Sequence, residues 1–94
     1  MKIAVTSPSF SENEILQKEI RKYFPDAKLN LSGKKYAGPQ LIEYIKECDG
    51  AIVSTEKIDE SIVKHCPKLK IISKYGVGLD SIDVKACSKY NITI

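Results

Sequence analysis

Residues 74–83 read KYGVGLDSID and follow directly on the apolar run LKIIS at 69–73. Gly76 and Gly78 free the backbone to take positive φ, so the turn they frame can point successive N–H groups outward as an anion nest. Two positions of Gly76-Val77-Gly78 lack a Cβ, which lets a small ligand approach the main chain. Such a loop can cradle a dinucleotide pyrophosphate, or it can hold a smaller anion such as a carboxylate. The dinucleotide fingerprint is G-x-G-x-x-G, its third glycine allowing the helix to pack closely on the strand. Gly76 and Gly78 fill the first two places, but Ser81 stands in the third. The acidic ribose ligand expected about 20 positions later would fall beyond Ile94. The loop also follows the fourth strand-like run, where the fingerprint follows the first. A carboxylate therefore suits it better than a nucleotide, with a tight ligand-free turn as the plain alternative.

The second candidate stretch is VSTEK at 53–57, where Ser54 and Thr55 offer hydroxyl donors. Other chemistries find little support. Cys48, Cys66 and Cys87 are odd in number, form no CxxC, and are accompanied by the single histidine His65, so no zinc site is expected. Each cysteine lies among apolar neighbours on a helix-like segment, which predicts reduced, buried thiols and a cytoplasmic setting. The net charge of +3 comes from lysines scattered over the chain without an aromatic platform, so no nucleic-acid surface is expected. The N-terminal MKIAVTSPSF is too short and polar for a signal peptide, and no apolar run reaches the roughly 18–20 residues of a membrane span.

The remaining pattern supplies the elements that must position these loops. KIAVT (2–6) is a short β-branched run that reads as a buried first strand. In SENE (11–14), Ser11 and Glu14 have the spacing of a capping box. The helix behind it places Leu16, Ile20 and Tyr23 on one face. AKLNL (27–31) alternates and reads as an edge strand, followed by a loop at 32–39. Leu41, Ile45 and Cys48 form the stripe of a second helix, and GAIVS (50–54) a third strand. Asp59 can cap a third helix bearing Ile62, Val63 and Cys66, stopped by Pro67. LKIIS is strand four, Asp83 can cap a fourth helix with Ala86, Cys87 and Tyr90, and NITI (91–94) begins a fifth strand.

Strands alternating with helices imply right-handed βαβ units. The expected fold is a flavodoxin-like three-layer α/β/α arrangement with a five-stranded parallel sheet of order 2-1-3-4-5. In that order strands three and four are neighbours, so their carboxyl ends bring VSTEK beside the glycine loop. With no helix behind strand five, part of one sheet face is left bare. The expected cover is a missing domain or a second copy in a homodimer.

On these residues the sequence resembles the D-isomer-specific 2-hydroxyacid dehydrogenases, a family that includes D-3-phosphoglycerate dehydrogenase. The likeness is strongest at YGVGLDSID, runs through LKIISKYGVGLDSIDVKACSKYNITI (69–94) and CDGAIVSTEKIDESIVKHCPKLK (48–70), and extends to KIAVT. It implies that residues 1–94 are a partial substrate-binding domain. Val77 and Gly78 would donate backbone N–H groups to the carboxylate of a small 2-hydroxy or 2-keto acid. Gly76 would shape the turn, and Ser54 and Thr55 would line the cleft. Some phosphoglycerate dehydrogenases carry an arginine in the strand-three loop for the substrate phosphate. VSTEK has none, and Lys57 is a point charge without arginine's bidentate fork. The resemblance implies NAD(H) for the whole enzyme, bound by a nucleotide domain outside these residues together with the catalytic Arg, acidic residue and His. His65 does not match that histidine, so no catalytic residue, cofactor ligand or metal ligand is assigned here.

Two functions follow. The chain is the substrate-binding portion of an NAD-dependent dehydrogenase, inactive alone, or it is a carboxylate-sensing or dimerising module on the same fold. A receiver domain is disfavoured by Ser7-Pro8 and Ser54-Thr55, where acids would stand. A flavodoxin is disfavoured by Pro8, which removes an N–H from the first loop.

Overall fold

A computed structural model describes residues 1–76 and 78–94. β1 (Ile3–Val5) is buried at all three positions, as an apolar run in the middle of a parallel sheet must be. It is flanked by β2 (Lys28–Leu29) on one side and β3 (Gly50–Val53) on the other, and β4 (Ile71–Lys74) pairs with β3. All pairings are parallel and the order is β2-β1-β3-β4, with Ala4 opposite Ala51 and Ala51 opposite Ile72. The predicted fifth strand is reduced to one parallel bridge between Thr93 and Ile71. The Ile72 N–H donates to the Thr93 carbonyl at 2.8 Å, and the Thr93 N–H donates to the Lys70 carbonyl at 2.9 Å. Position five of the flavodoxin-like order is therefore marked beside β4.

Right-handed crossovers decide which face each helix covers. The β1-to-β2 connection runs one way across the sheet and carries α1 (Pro8–Glu12) and α2 (Glu14–Tyr23). The later connections run the other way and carry α3 (Pro39–Ile45), α4 (Glu60–Val63) and α5 (Val84–Lys89) to the opposite face. That second face holds the core: Ala4, Ala51, Val53 and Ile72 cluster with Leu41, Ile45, Val63 and Cys87. The face under α2 is thinner. Ile20 and Phe24 line a gap of about 200 Å³ there with Ile3 and Ile52, and Ile71 remains 41% exposed. Gly50 sits between two isoleucines on this face, and a Cβ would come within 2.8 Å of Ile3 Cδ1 and 2.9 Å of Ile71 Cγ2.

The capping box does not form. Pro8 presets helical φ one turn earlier than the Ser11 signal, so Ser7 caps α1 and Ser11 is buried inside it. The Ser11 hydroxyl instead accepts the Asn30 N–H at 2.8 Å. Asn13 caps α2, its Oδ1 accepting from the Ile15 and Leu16 N–H groups at 3.0 and 3.1 Å. Four predicted helices thus become five among the described residues. Tyr23 is 69% exposed, and Phe24 takes its place, following Leu16 and Ile20 at steps of four. Asp59 precedes α4 without capping it, since its carboxylate accepts the Ser61 hydroxyl. Asp83 caps α5 as its spacing predicts, accepting the Ala86 N–H at 3.0 Å. The Asn13→Ala variant is expected to lose about 1 kcal/mol. Glu14→Ala should stay within about 0.5 kcal/mol of wild type, and urea midpoints of the two variants decide between the caps.

All three cysteines are free and buried, and burial pushes the Cys66 thiol up to about 11. Among the described residues no helix is long and apolar enough to cross a membrane.

Candidate functional site

Because β3 and β4 run parallel and in contact, their carboxyl ends deliver residues 54–57 and 75–81 to one edge of the sheet. The Tyr75 N–H donates to the Val53 carbonyl at 2.7 Å, extending the pairing to the start of the loops. Beyond them the chains rejoin. Ile58 bridges Ile82, with the Ile58 N–H donating to the Ser81 carbonyl and the Asp83 N–H to the Ile58 carbonyl, each at 2.8 Å. The two loops are therefore closed at both ends. The Ser54 carbonyl ties them in the middle, accepting from the Lys74 ammonium and, at 3.5 Å, from the Ser81 hydroxyl.

A cleft of about 200 Å³ opens here, lined by Thr55, Lys74, Gly78, Asp80 and Ser81. Gly76 has φ of 118° and Gly78 has φ of 82°, in the region that favours glycine. A Cβ on Gly78 would meet nothing within 4 Å, so this glycine is required by its backbone conformation, and the space in front of it is open to a ligand. Val77, the other predicted donor, lies outside the described residues. Of the predicted residues, Thr55 and Gly78 line the cleft and Gly76 adjoins it. Ser54 contributes its carbonyl to the wall and also lines the neighbouring cleft at the β1 loop.

The sequence reading missed the cation. Lys74 ends β4 half-buried, with its ammonium against the loop. A lysine closing an apolar strand at the carboxyl edge was the available signal, because ligands bind at that edge of an open α/β sheet. Lys57, considered instead, is exposed and pairs with Asp59 at 3.9 Å. Glu56 was also missed. It is 4% exposed, and its Oε1 accepts the Ser54 N–H at 2.7 Å, which folds the 54–56 turn back on itself. Its Oε2 has no hydrogen-bond partner among the described residues. His65 is exposed near the C-terminal end of α4, away from these loops. No group of three or more His, Cys, Asp or Glu among the described residues could hold a metal ion. Lys74 and Asp80 both line the cleft beside the Gly78 turn, so its wall carries one positive and one negative side chain.

Comparison with known proteins places the chain in a family. The family model for "D-isomer specific 2-hydroxyacid dehydrogenase, catalytic domain" matches residues 3–94. The chain belongs to the D-isomer-specific 2-hydroxyacid dehydrogenase family. Within that family it is 45% identical over 56 residues to a glyoxylate reductase of Korarchaeum cryptofilum, covering 57% of this chain and 17% of that one. It is 38% identical over 56 residues to a D-3-phosphoglycerate dehydrogenase of Methanocaldococcus jannaschii, covering 58% of this chain and 11% of that one. The structure of NAD+-bound 3-phosphoglycerate dehydrogenase from Entamoeba histolytica superimposes with a TM-score of 0.80 at 37% identity, covering 98% of this chain and 31% of that one. The chain thus spans under a third of these family members.

Proposed function

We propose that this chain is the substrate-binding portion of an NAD-dependent D-2-hydroxyacid dehydrogenase, with the Gly76–Gly78 loop receiving the substrate carboxylate. The observation that carries this reading is an open cleft lined by Thr55, Lys74 and Ser81, with Asp80 also at its wall, beside two positive-φ glycines. Lys74 supplies the counter-charge, and a hydrogen bond to an ionised group contributes about 1.5–3 kcal/mol. The residues do not fit a dinucleotide pyrophosphate. Ser81 replaces the glycine that close helix–strand packing needs, and its hydroxyl is turned to the Ser54 carbonyl. The first turn of α5 already carries the Asp83 carboxylate as its cap, which opposes a second anion there. Hydride transfer also needs an acid/base within hydrogen-bond reach of the substrate oxygen, and exposed His65 offers none. The nucleotide and the acid/base therefore belong to another part of the enzyme, and this chain alone binds without turning over.

Titration of the 15N-labelled protein with glycolate tests the reading. Saturable amide shifts are expected at Thr55, Gly76, Gly78 and Leu79. Lys74→Met should weaken glycolate binding by about tenfold, the loss of about 1.4 kcal/mol. Shifts confined to other surfaces, or oxidation of NADH by the isolated chain with glyoxylate, would sink it.

A further inference from the structure

Glu56 follows Thr55, lines neither of the two clefts beside it, and is 4% exposed. A glutamate is almost never buried unless paired, yet among the described residues Glu56 makes no ion pair. Its Oε1 accepts the Ser54 N–H at 2.7 Å, and its Oε2 has no hydrogen-bond partner among the described residues. Taking a carboxylate out of water costs more than one hydrogen bond to it returns. Proteins break such a rule chiefly where a site requires it. The bond that Glu56 does make goes to the turn that forms one wall of the carboxylate cleft.

Ser54 is held on both sides of its Cα. Glu56 takes its N–H, and its carbonyl accepts from the Lys74 ammonium and, at 3.5 Å, from the Ser81 hydroxyl. The Lys74 ammonium lies beside the glycine loop, 3.9 Å from where a Cβ on Gly76 would stand. Lysine is a point charge on a flexible stem, so it stays in one place only where a fixed acceptor seats it. Seated on Ser54, it keeps two further N–H groups for a ligand. Thr55 lies within the same turn. Its Oγ1 accepts from the Lys35 ammonium at 2.7 Å, which leaves its O–H as a donor at the cleft. Buried Asn30 anchors the loop that carries Lys35. It donates to the Thr6 and Lys34 carbonyls at 2.9 and 2.7 Å and accepts from the Ser32 N–H and hydroxyl at 3.1 and 2.6 Å.

We propose that Glu56 is the positioning residue of the carboxylate cleft. By clamping the Ser54 N–H it fixes the direction of the Ser54 carbonyl, which seats the Lys74 ammonium, and it frames Thr55 between the two clamped residues. The inference rests on the carboxylate reading above. Glu56 acts through its acceptor oxygen and through Ser54, without touching the ligand. Its charge works the other way, because a carboxylate behind the wall opposes an anion in the cleft. Position and charge therefore act on affinity with opposite signs, and variants that remove one without the other separate them.

Glycolate titration and thermal melts of Glu56→Ala and Glu56→Gln test the assignment. Both variants remove the charge, but only glutamine keeps an acceptor of the same reach for the Ser54 N–H. Glu56→Ala should weaken glycolate binding about fivefold, and Glu56→Gln should stay within about twofold of wild type. A purely structural Glu56 would lower the Tm of Glu56→Ala and leave the affinity of the folded protein unchanged, which overturns the assignment. Tighter binding by both variants would make Glu56 an electrostatic brake on the anion and overturns it as well. Hydrogen exchange in the wild-type protein decides the matter if Glu56→Ala does not fold. Coupling is reciprocal, so saturating glycolate should slow exchange of the Ser54 amide. The Ser32 and Lys34 amides, bonded to side chains in the loop between β2 and α3, should not change. Exchange at Ser54 that glycolate leaves unaltered overturns the proposal. Gly78 shifts that persist with full affinity in Glu56→Ala take down the role of Glu56 alone. Glycolate that leaves Gly78 unperturbed in the wild type takes down the carboxylate reading, and this role with it.

Discussion

The Gly78→Val variant is expected to lose glycolate binding altogether while remaining folded. Gly78 has φ of 82°, and a Cβ there would touch nothing within 4 Å. Steric clash with neighbours is therefore not the cause. Left-handed backbone costs an L-residue roughly 1–2 kcal/mol, and a β-branched one tolerates it least. Relieving that cost requires a different backbone conformation at Gly78, the position on which the proposed carboxylate site depends. A carboxylate nest works by convergence of N–H groups, so a changed backbone at Gly78 should abolish the proposed site. The control is Gly33→Ala. Gly33 has φ of 75° with equally open surroundings, so its substitution should cost similar stability, about 4–8 °C in Tm for each kcal/mol in a domain of this size. It should leave glycolate affinity unchanged, since Gly33 lies outside the carboxylate cleft. Amide-shift titrations and thermal melts of both variants give the comparison. Native-like glycolate binding by Gly78→Val would remove the nest from consideration.

The placement of the candidate cleft was legible because it depends on topology. Alternating strands and helices set the order β2-β1-β3-β4, the order makes β3 and β4 neighbours, and neighbours bring Thr55 to Gly78. None of that needs side-chain detail. What escaped the reading depends on competition between local signals. Ser11 and Glu14 have capping-box spacing, yet Pro8 starts the helix earlier and Asn13 offers a better acceptor to the next one. Spacing alone does not rank two caps within seven residues. Phe24 in place of Tyr23 is one step of helical phase, which the spacing of apolar residues alone does not decide. Lys74 and Glu56 escaped for a different reason. Lysine and glutamate are ordinarily exposed, and only the fold shows that the Lys74 ammonium meets the Ser54 carbonyl and that Glu56 accepts the Ser54 N–H. Asn30 belongs with them, since its four partners are spread over residues 6 to 34.

The largest loss of stability is expected from Leu41→Ala. α3 is seven residues long, begins after Gly38 with no side-chain cap, and has no acidic residue in its first turn or basic residue in its last. Isolated helices shorter than about 12–15 residues are marginal in water. What holds α3 is its apolar stripe of Leu41 and Ile45, with Cys48, predicted to belong to the same stripe, lying just beyond its end; all three are 0% exposed and cluster with Ala4, Ala51 and Val53 of the sheet. Truncating a buried leucine costs about 2–5 kcal/mol, from lost transfer energy and from the cavity left behind. A domain of this kind is held by only about 5–15 kcal/mol. Leu41→Met conserves volume and should cost less than about 1.5 kcal/mol. Ile15→Ala, at a residue 74% exposed, should stay within about 0.5 kcal/mol of wild type. Urea unfolding of the three variants orders them. If Leu41→Ala matched Ile15→Ala, α3 would not be docked on the sheet as described. The consequence reaches the site, because α3 leads directly into β3 and β3 holds Ser54 and Thr55 at the cleft. A protein that loses α3 should lose glycolate affinity together with stability, whereas Gly78→Val should separate the two.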